Sequence, residues 1–204
     1  MPTLYTMPGT CSLAPNICIA WLDAPVEVEN MAYGDHKKDA YLAINPKGKV
    51  PAVRFDDGDV LTEAAAIMSW LGAEYGSEGY ARDTKLGRKE AEALSWFTSE
   101  VHASYGAHFV PKAFAKTQAG QDEAKEAAYA KLRAHYERIE EVLDGRDFWL
   151  EKRSFADAYL YVLSRWIDQT PIEIGPELKA FRGRMEHDQA VLKALARQNM
   201  APMD

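Results

Sequence analysis

The chain has 204 residues, of which 47% are hydrophobic and 27% charged, an ordinary composition for a globular protein with one large or two modest domains. Its 24 basic and 31 acidic residues give a net charge of −7, which argues against nucleic acid as the main partner. No apolar run approaches the roughly 20 residues that a membrane span needs, and the first five residues do not resemble a signal peptide. We therefore expect a cytoplasmic protein that does not enter a membrane.

The first half of the chain alternates between strands and helices. Residues 3–5 predict a short strand, and Ser12 can cap a helix with apolar residues at intervals of four. Apolar and polar residues alternate over residues 26–29, as in a strand with one face exposed to solvent. Residues 34–41 are polar, which favours a loop with a short helical piece. A hairpin over residues 50–61 then leads into a helix. This order, βαβ followed by ββα, predicts an α/β thioredoxin-like domain over residues 1–76.

In the second part of the chain, apolar residues recur with the 3.6-residue period of a helix. Small and polar residues make 77–83 the predicted linker, and residues 84–204 the predicted all-α C-terminal helical domain. The predicted helices cover residues 84–111, 121–143, 155–167, 176–184 and 188–198. The helix over residues 155–167 is apolar nearly all round, which is typical of a buried central helix. Ser154 and Asp157 before it form a capping-box pattern, which we interpret as structural.

The two cysteines are seven residues apart, too far along a helix for a disulfide and not in the spacing of a redox pair. Cys11 falls at the start of the first helix, where free N–H groups and the helix dipole stabilise a thiolate. A small buried side chain is the alternative interpretation of Cys11, and the residue alone does not decide between them. Cys18 lies among apolar residues and is predicted to belong to the core.

Two further features surround the predicted hairpin. A cis bond between Val50 and Pro51 would turn the preceding backbone groups outward, where an extended peptide can pair with them. Glu63 begins the next helix, where anions are favoured, although an ordinary first-turn glutamate would look the same. His102 and His108 fall on different faces of one helix, and half-buried structural histidines remain the alternative to a catalytic role. The five histidines are scattered and give no metal-ligand spacing, so we expect no metal site.

These features together resemble a bacterial glutathione transferase, and most closely the beta class. The resemblance covers nearly the whole chain. Its strongest segments are Gly9-Thr10-Cys11-Ser12-Leu13-Ala14-Pro15, Asn45-Pro46-Lys47-Gly48-Lys49-Val50-Pro51-Ala52 and Leu61-Thr62-Glu63-Ala64-Ala65-Ala66-Ile67. In the second half, Ser99-Glu100-Val101-His102 and Phe155-Ala156-Asp157-Ala158-Tyr159 also match the family. Several matches in the family's order make the resemblance specific for the class, but much less specific for the substrate.

The resemblance implies a catalytic group around the glutathione sulfur. Cys11 would face that sulfur, and Ser12 and Tyr5 would lie nearby as hydroxyl donors. His102 would approach from the helical domain and assist the thiolate.

The resemblance also implies where glutathione itself binds. Val50 would pair its backbone with the cysteinyl part of glutathione, with Pro51 in the cis form. Glu63 and the Ala64 N–H group would hold the γ-glutamyl end. The lysine that often contacts glutathione in the family would be Lys37, Lys38 or neither, and His36 is another candidate for this contact.

The function that follows is a cytoplasmic, homodimeric glutathione transferase of detoxification, which attaches glutathione, its cosubstrate, to a small hydrophobic electrophile. A glutathione-dependent thiol-disulfide reductase that uses Cys11 as the nucleophile is the first alternative. A non-catalytic protein that binds glutathione or hydrophobic molecules is the second. Met7, Tyr105, Phe109 and Trp166 are candidate apolar walls for the electrophile, and each is equally well explained as core or interface.

Overall fold

The computed structural model describes residues 1–76 and 84–203. The predicted linker over residues 77–83 lies outside the described residues. The first domain contains a four-stranded sheet with the order β2-β1-β3-β4. Its strands are β1 (Thr3–Thr6), β2 (Glu27–Asn30), β3 (Ala52–Arg54) and β4 (Val60–Thr62). β1 pairs in parallel with β2 and antiparallel with β3, and β3 pairs antiparallel with β4.

The two faces of this sheet carry different side chains, because successive residues of a strand point to opposite sides. Leu4 and Val53, which are opposite each other in the register of β1 and β3, belong to the main core. Tyr5 and Ala52 are also opposite each other and belong to a smaller cluster with Tyr41. The sheet therefore separates a helix-covered face from a smaller packed face.

Three helices complete the first domain: α1 (Leu13–Leu22), α2 (Asp39–Leu42) and α3 (Ala64–Tyr75). α1 and α3 pack together, and their apolar residues join the main core. Cys18 is fully buried there, as the sequence predicts. The predicted strand, loop and hairpin positions are confirmed to within a residue or two, so this half has the thioredoxin-like arrangement.

All regular secondary structure in the described part of the second domain is helical. Its helices are α4 (Lys85–Trp96), α5 (His102–Ser104), α6 (Gly106–Phe109), α7 (Gln118–Leu143), α8 (Phe155–Trp166), α9 (Pro176–Glu186) and α10 (Gln189–Arg197). The prediction of a single helix over residues 84–111 is wrong. A π-helical turn over Phe97–Val101 separates α4 from α5, and the chain bends again after Ser104. Such turns often occur at functional sites, and His102 follows this one directly.

α8 is the central element of the helical domain. Eleven of its residues are buried, and Ser154 and Asp157 form the predicted capping box at its start. Its neighbours include α1 of the first domain, which also packs against α10. α8 therefore spans the junction of the two domains, and its inner side chains reach the start of α1. No helix in the described ranges is long and apolar enough to cross a membrane.

Candidate active site

The loop between β1 and α1 is fixed by its own hydrogen bonds. Ser12 is fully buried, and its hydroxyl accepts the N–H of Met7 at 3.0 Å and lies 2.6 Å from the hydroxyl of Thr10. The prediction that Ser12 caps α1 is therefore wrong, since its side chain makes no capping bond and holds the loop instead. This arrangement directs the neighbouring side chain, Cys11, away from the loop interior.

The Cys11 thiol lies against the start of the hairpin. It donates a long hydrogen bond of 3.9 Å to the carbonyl oxygen of Val50. The Val50-Pro51 bond is cis, as the resemblance implies. A half-buried thiol and the backbone that precedes a cis proline thus lie side by side, although 39 residues separate them in the chain.

The protonation state of Cys11 differs from the expectation. Burial raises the pKa of the Cys11 thiol to about 11, while hydrogen bonds from the Tyr159 hydroxyl and from the backbone N–H of Cys11 favour the thiolate. The expected stabilisation by a helix terminus is thus outweighed by the loss of water around the sulfur. In the protein without a bound ligand, Cys11 is a thiol near neutral pH.

His102 and Tyr159 extend this group into the helical domain. The Nδ1 atom of His102 lies 2.6 Å from the hydroxyl oxygen of Tyr159, and the neighbouring Cys11 contributes to the raised pKa of this phenol. Burial, with a contribution from the Lys49 charge, lowers the pKa of His102 to about 4, so that its imidazole is neutral at neutral pH. Burial also raises the pKa of Tyr159 well above its usual value, so that its phenol keeps its proton. The three side chains form one connected group.

Glu63 lies at the start of α3 in an unusual backbone conformation. Its φ angle is +73°, a region that residues other than glycine rarely adopt and that is often found at functional sites. Its carboxylate is 74% exposed and accepts a 3.0 Å bond from Lys47. Glu63 also influences the pKa values of Cys11 and His102, so it belongs to the same electrostatic environment. Ala64, the next residue, begins α3.

Two predicted residues lie apart from this group. Tyr5 packs on the other face of the sheet, where its ring contacts Tyr41 and the guanidinium of Arg54. The implied position of Tyr5 near the Cys11 sulfur is not supported, because alternation along β1 turns its side chain away from α1. The amine of Lys37 donates a 2.8 Å bond to the carbonyl of Gly48, and so supports the loop that precedes Val50.

Aromatic rings line the helical side of the group. The ring centroids of His102 and Trp166 are 4.7 Å apart. The ring centroid of Phe109 lies 5.3 Å from that of Trp166 and 5.7 Å from that of Tyr105. Tyr105 is fully buried, whereas Phe109 is 42% exposed. The exposed face of Phe109 and the edge of Trp166 thus give an apolar surface close to His102. Met7, the fourth candidate wall residue, is buried.

A cleft of about 240 Å³ opens beside this surface. Its lining includes Gly9, Thr10, Trp166 and Met200, so it lies between the first loop and the end of α8. His108 is not part of the group, because its ring bonds instead to the hydroxyl of Tyr129. Among residues 1–76 and 84–203 no three side chains of His, Cys, Asp or Glu could hold a metal ion together.

Sequence reasoning missed two members of the group, Tyr159 and Lys49. Tyr159 was part of a helix interpreted as structural, but a hydroxyl on a helix that is buried all round needs a polar partner. The need for such a partner could have identified Tyr159 as a candidate member of the site. Lys49 immediately precedes Val50, and its charge acts on both Cys11 and His102.

Comparison with known proteins agrees with this geometry. The family described as "Glutathione S-transferase, N-terminal domain" matches residues 4–79, and "Glutathione S-transferase, C-terminal domain" matches residues 92–188. Glutathione S-transferase GST-4.5 of Xanthomonas campestris is 32% identical over 204 residues, which cover 97% of this chain and 98% of that protein. The chain belongs to the glutathione S-transferase family.

Two solved structures refine this assignment. A sphingomonad glutathione S-transferase complexed with glutathione superimposes with a TM-score of 0.83 at 33% identity, covering 98% of this chain and 100% of that one. The bacterial beta class glutathione S-transferase of Sphingomonas chungbukensis gives 0.84 at 29% identity, with coverage of 98% and 100%. The expected fold and the resemblance to bacterial, beta-class transferases are confirmed. This glutathione S-transferase therefore has its candidate site where the first loop, the hairpin and α8 meet.

Proposed function

We propose that this glutathione S-transferase binds glutathione along the hairpin and attaches it to a small hydrophobic electrophile held against the helical domain. One observation carries the proposal: the Cys11 thiol lies 3.9 Å from the Val50 carbonyl, directly before a cis proline. Backbone groups turned outward in this way can pair with an extended peptide such as glutathione. A thiol at the same point favours a ligand whose own reactive atom is sulfur.

Each part of glutathione would contact a different part of the hairpin or of the helix start that follows it. The backbone of Val50, next to cis Pro51, would pair with the cysteinyl part of glutathione. The exposed carboxylate of Glu63 suits the γ-glutamyl ammonium group, and the free N–H groups at the start of α3, from Ala64 onward, suit its carboxylate. Lys37 would act mainly by supporting Gly48, since its amine is already bonded there.

The reaction would begin with the loss of the glutathione thiol proton to solvent. Cys11 and His102 would act as donors toward the resulting thiolate, and Ser12 would hold the loop that carries Cys11. The glutathione sulfur then forms a bond to the electrophilic carbon, and the leaving group departs with the electrons of the bond that breaks. Cys11 keeps its proton in this scheme, which agrees with the raised pKa of its thiol.

The electrophile would bind against the exposed face of Phe109 and the edge of Trp166. These rings lie next to His102, so a flat apolar substrate stacked on them would have its reactive carbon near the glutathione sulfur. This apolar surface has few polar groups that could select one substrate, which favours a broad range of aromatic electrophiles over one specific substrate.

The alternative reaction, disulfide reduction, uses Cys11 as the nucleophile. Its sulfur would form a mixed disulfide with glutathione and be released by a second glutathione molecule. The partly buried position of Cys11 permits this chemistry, while the raised pKa of its thiol slows it. Cys18 cannot substitute, because it is fully buried in the core.

The variant Cys11→Ala separates the two reactions. Conjugation to an aromatic halide should fall only modestly, about tenfold or less, because one of several donors is removed. Reduction of hydroxyethyl disulfide should be lost completely if Cys11 is the nucleophile. Loss of conjugation with Cys11→Ala to the level without enzyme would overturn the transferase scheme. Cys18→Ala is the matched control and should change neither reaction. Wild-type protein that binds glutathione but catalyses neither reaction would support the binding-protein alternative.

The family resemblance also supports a homodimer in the cytoplasm that acts in detoxification. Light scattering coupled to size-exclusion chromatography tests the first point, since a dimer has twice the 22.8 kDa mass of the chain. A single species of 22.8 kDa at micromolar concentration would contradict it.

A further inference from the structure

The carbonyl oxygen of Lys49, one residue before Val50, is held by two side chains. The Tyr41 hydroxyl donates a 2.6 Å hydrogen bond to it, and the Nδ2 group of Asn45 donates a 2.8 Å bond. The two donors are separated by one helical turn, in which the Asn45 N–H donates to the Tyr41 carbonyl. A carbonyl oxygen has two lone pairs, so both of its acceptor positions are occupied.

These two bonds set the direction of the Val50 N–H. The peptide bond between Lys49 and Val50 is trans, and in a planar trans peptide the C=O and the N–H point in opposite directions. Rotation of this plane would lengthen or break one of the two bonds, so the Val50 N–H stays pointed away from Tyr41 and Asn45. It donates to no group within residues 1–76 and 84–203, and Val50 is only partly buried. This N–H is therefore available to a ligand.

We propose that Tyr41, with Asn45 beside it, is a positioning residue for glutathione. It holds the Lys49 carbonyl so that the Val50 N–H donates to the cysteinyl carbonyl of the ligand. The inference rests on the proposed function, which places the cysteinyl part of glutathione against Val50. The cysteinyl carbonyl is the acceptor, because it belongs to the residue whose thiol would lie beside Cys11. Tyr41 and Asn45 touch no part of glutathione in this scheme.

Burial makes this support rigid. Tyr41 is 3% exposed and Asn45 2% exposed, so water does not readily compete for either donor. Burial also raises the pKa of Tyr41, so its phenol keeps the proton that it donates. The ring of Tyr41 is fixed in turn by Tyr5, whose ring centroid lies 5.6 Å away in an edge-to-face arrangement. The smaller packed face of the sheet thus supports the loop that carries Val50.

Tyr41 is better suited than Asn45 to a test of this role. Asn45 also accepts the N–H of Lys47 at 3.2 Å through its Oδ1 atom, so its replacement disturbs a second part of the loop. Tyr41→Phe removes the bond to the Lys49 carbonyl and keeps the ring that packs against Tyr5. The peptide plane before Val50 is then held by one donor and is free to turn.

The test compares two ligands that differ at the cysteinyl carbonyl. Glutathione contains this carbonyl, whereas γ-glutamylcysteamine keeps the thiol but lacks both the carbonyl and the glycine. Nuclear magnetic resonance titrations of the nitrogen-15-labelled full chain measure both dissociation constants, even in the millimolar range. Tyr41→Phe should weaken glutathione binding about fivefold to tenfold, the effect of losing one hydrogen bond. Binding of γ-glutamylcysteamine should weaken less than about twofold, because this ligand has no carbonyl for the Val50 N–H.

Tyr161→Phe is the matched control, because it also removes a buried, hydrogen-bonded hydroxyl. That hydroxyl bonds to Glu186 and Arg165 in the helical domain, and not to the hairpin. Both dissociation constants should therefore match wild type in this variant. A role of Tyr41 in folding alone would make Tyr41→Phe weaken both ligands equally. Equal weakening, or an unchanged affinity for glutathione, would overturn the proposal.

The amide proton of Val50 gives an independent readout. Saturation with glutathione should move its resonance downfield in wild type, as the N–H gains an acceptor, and by clearly less in Tyr41→Phe. An equal change in the two proteins would contradict the proposal. Should Tyr41→Phe fail to fold, Asn45→Ser decides by the same comparison of ligands, since it removes the other donor to the Lys49 carbonyl.

These experiments distinguish the inference from the proposed function. Wild-type protein that binds no glutathione would overturn the proposed function, and with it the inference. Wild-type binding and conjugation without the selective loss in Tyr41→Phe would refute the role of Tyr41 alone. Selective loss of glutathione binding in a protein that conjugates no electrophile would support the role of Tyr41 and refute the transferase scheme.

Discussion

The indole Nε1 of Trp166 donates a 2.9 Å hydrogen bond to the carbonyl oxygen of Gly9, and so connects the end of α8 to the loop that carries Cys11. Gly9 has a φ angle of +75°, which a residue with a side chain rarely adopts, and its N–H points to the sulfur of Met200. The helical domain thus helps to hold the loop that carries Cys11 in place. This bond joins two regions that are 157 residues apart.

Loss of this bond should be measurable. Trp166→Phe keeps an aromatic ring but removes the donor, and we expect the free energy of unfolding to fall by about 1 kcal/mol. Urea denaturation measures this change. Trp70→Phe is the control, because the Trp70 ring packs against Phe55 and Tyr75 without a comparable bond to the first loop. Equal destabilisation by the two substitutions would show that ring size, and not the bond to Gly9, is what matters.

Glu63 should contribute to glutathione affinity and little to folding. Glu63→Gln removes a charged acceptor for the γ-glutamyl ammonium, and we expect binding to weaken by roughly 1–3 kcal/mol. The unfolding temperature should hardly change, since the ion pair with Lys47 is solvent-exposed and worth less than about 1 kcal/mol. Isothermal titration calorimetry measures the affinity. Glu74→Gln, at the far end of α3, is the control, and unchanged affinity in Glu63→Gln would remove Glu63 from the site.

The two cysteines should differ sharply in reactivity. Cys11 is half-buried and Cys18 fully buried, so iodoacetamide should modify Cys11 alone in the native protein. With the pKa of the Cys11 thiol at about 11, the rate should rise about tenfold for each pH unit as pH increases toward that value. Bound glutathione should protect Cys11. A rate that is already constant above pH 8 would show that the thiolate is far more stable than burial implies.

Stability should depend on pH through Glu90, which accepts a 2.7 Å bond from the N–H of Phe155 at the start of α8. Burial raises the pKa of Glu90 from 4.5 to about 7. Between these values the folded protein binds more protons than the unfolded chain, so stability falls as pH rises through this window. The fall attributable to Glu90 is about 3 kcal/mol at most.

Glu90→Gln tests this dependence, because an amide keeps the acceptor oxygen but does not titrate. The difference in unfolding free energy between the variant and wild type should grow from pH 4.5 to pH 7 in favour of the variant. Asp157, whose pKa burial raises to about 6, also contributes to the raised pKa of Glu90 through its charge, so the difference between the two proteins includes this interaction. Glu92→Gln, an exposed position on the same helix, should give a curve parallel to wild type. A parallel curve for Glu90→Gln as well would contradict the assignment.

The sequence predicted those parts of the protein that depend on local pattern. The alternation over residues 26–29 and the capping box at Ser154 each specify structure within a few residues, and each is confirmed. The interruption between α4 and α5 was missed, because a π-helical turn keeps the residues of a helix and changes only its hydrogen bonds.

The site was harder to predict, because its members come from three distant segments. Cys11 and Val50 were singled out from a helix start, a proline and the resemblance, and the structure brings them together. The bond between His102 and Tyr159 depends on how α8 packs against the π-helical turn before His102, and no local pattern specifies it. The pKa of Cys11 was misjudged for a related reason: helix position is visible in the sequence, whereas the amount of water around a sulfur is not.

Phe109 should determine how well the electrophile binds, without affecting glutathione. Its ring is 42% exposed and packs against Trp166, next to His102. Phe109→Ala removes much of the exposed apolar surface while Tyr105 and Trp166 remain to support the site. We expect KM for an aromatic halide to rise about tenfold, roughly the effect of losing 1–2 kcal/mol of apolar contact.

Glutathione affinity provides the internal comparison for this variant. Its proposed binding residues lie in the first domain, so the dissociation constant from calorimetry should stay within about twofold of wild type, a difference under 0.5 kcal/mol. Tyr33→Ala, which removes an exposed ring from the first domain, should leave both constants unchanged. If Phe109→Ala weakened glutathione binding as strongly as it raised KM, the ring would support the whole site, and the electrophile would have to bind elsewhere. If neither constant changed, the apolar surface beside His102 would not be the electrophile site.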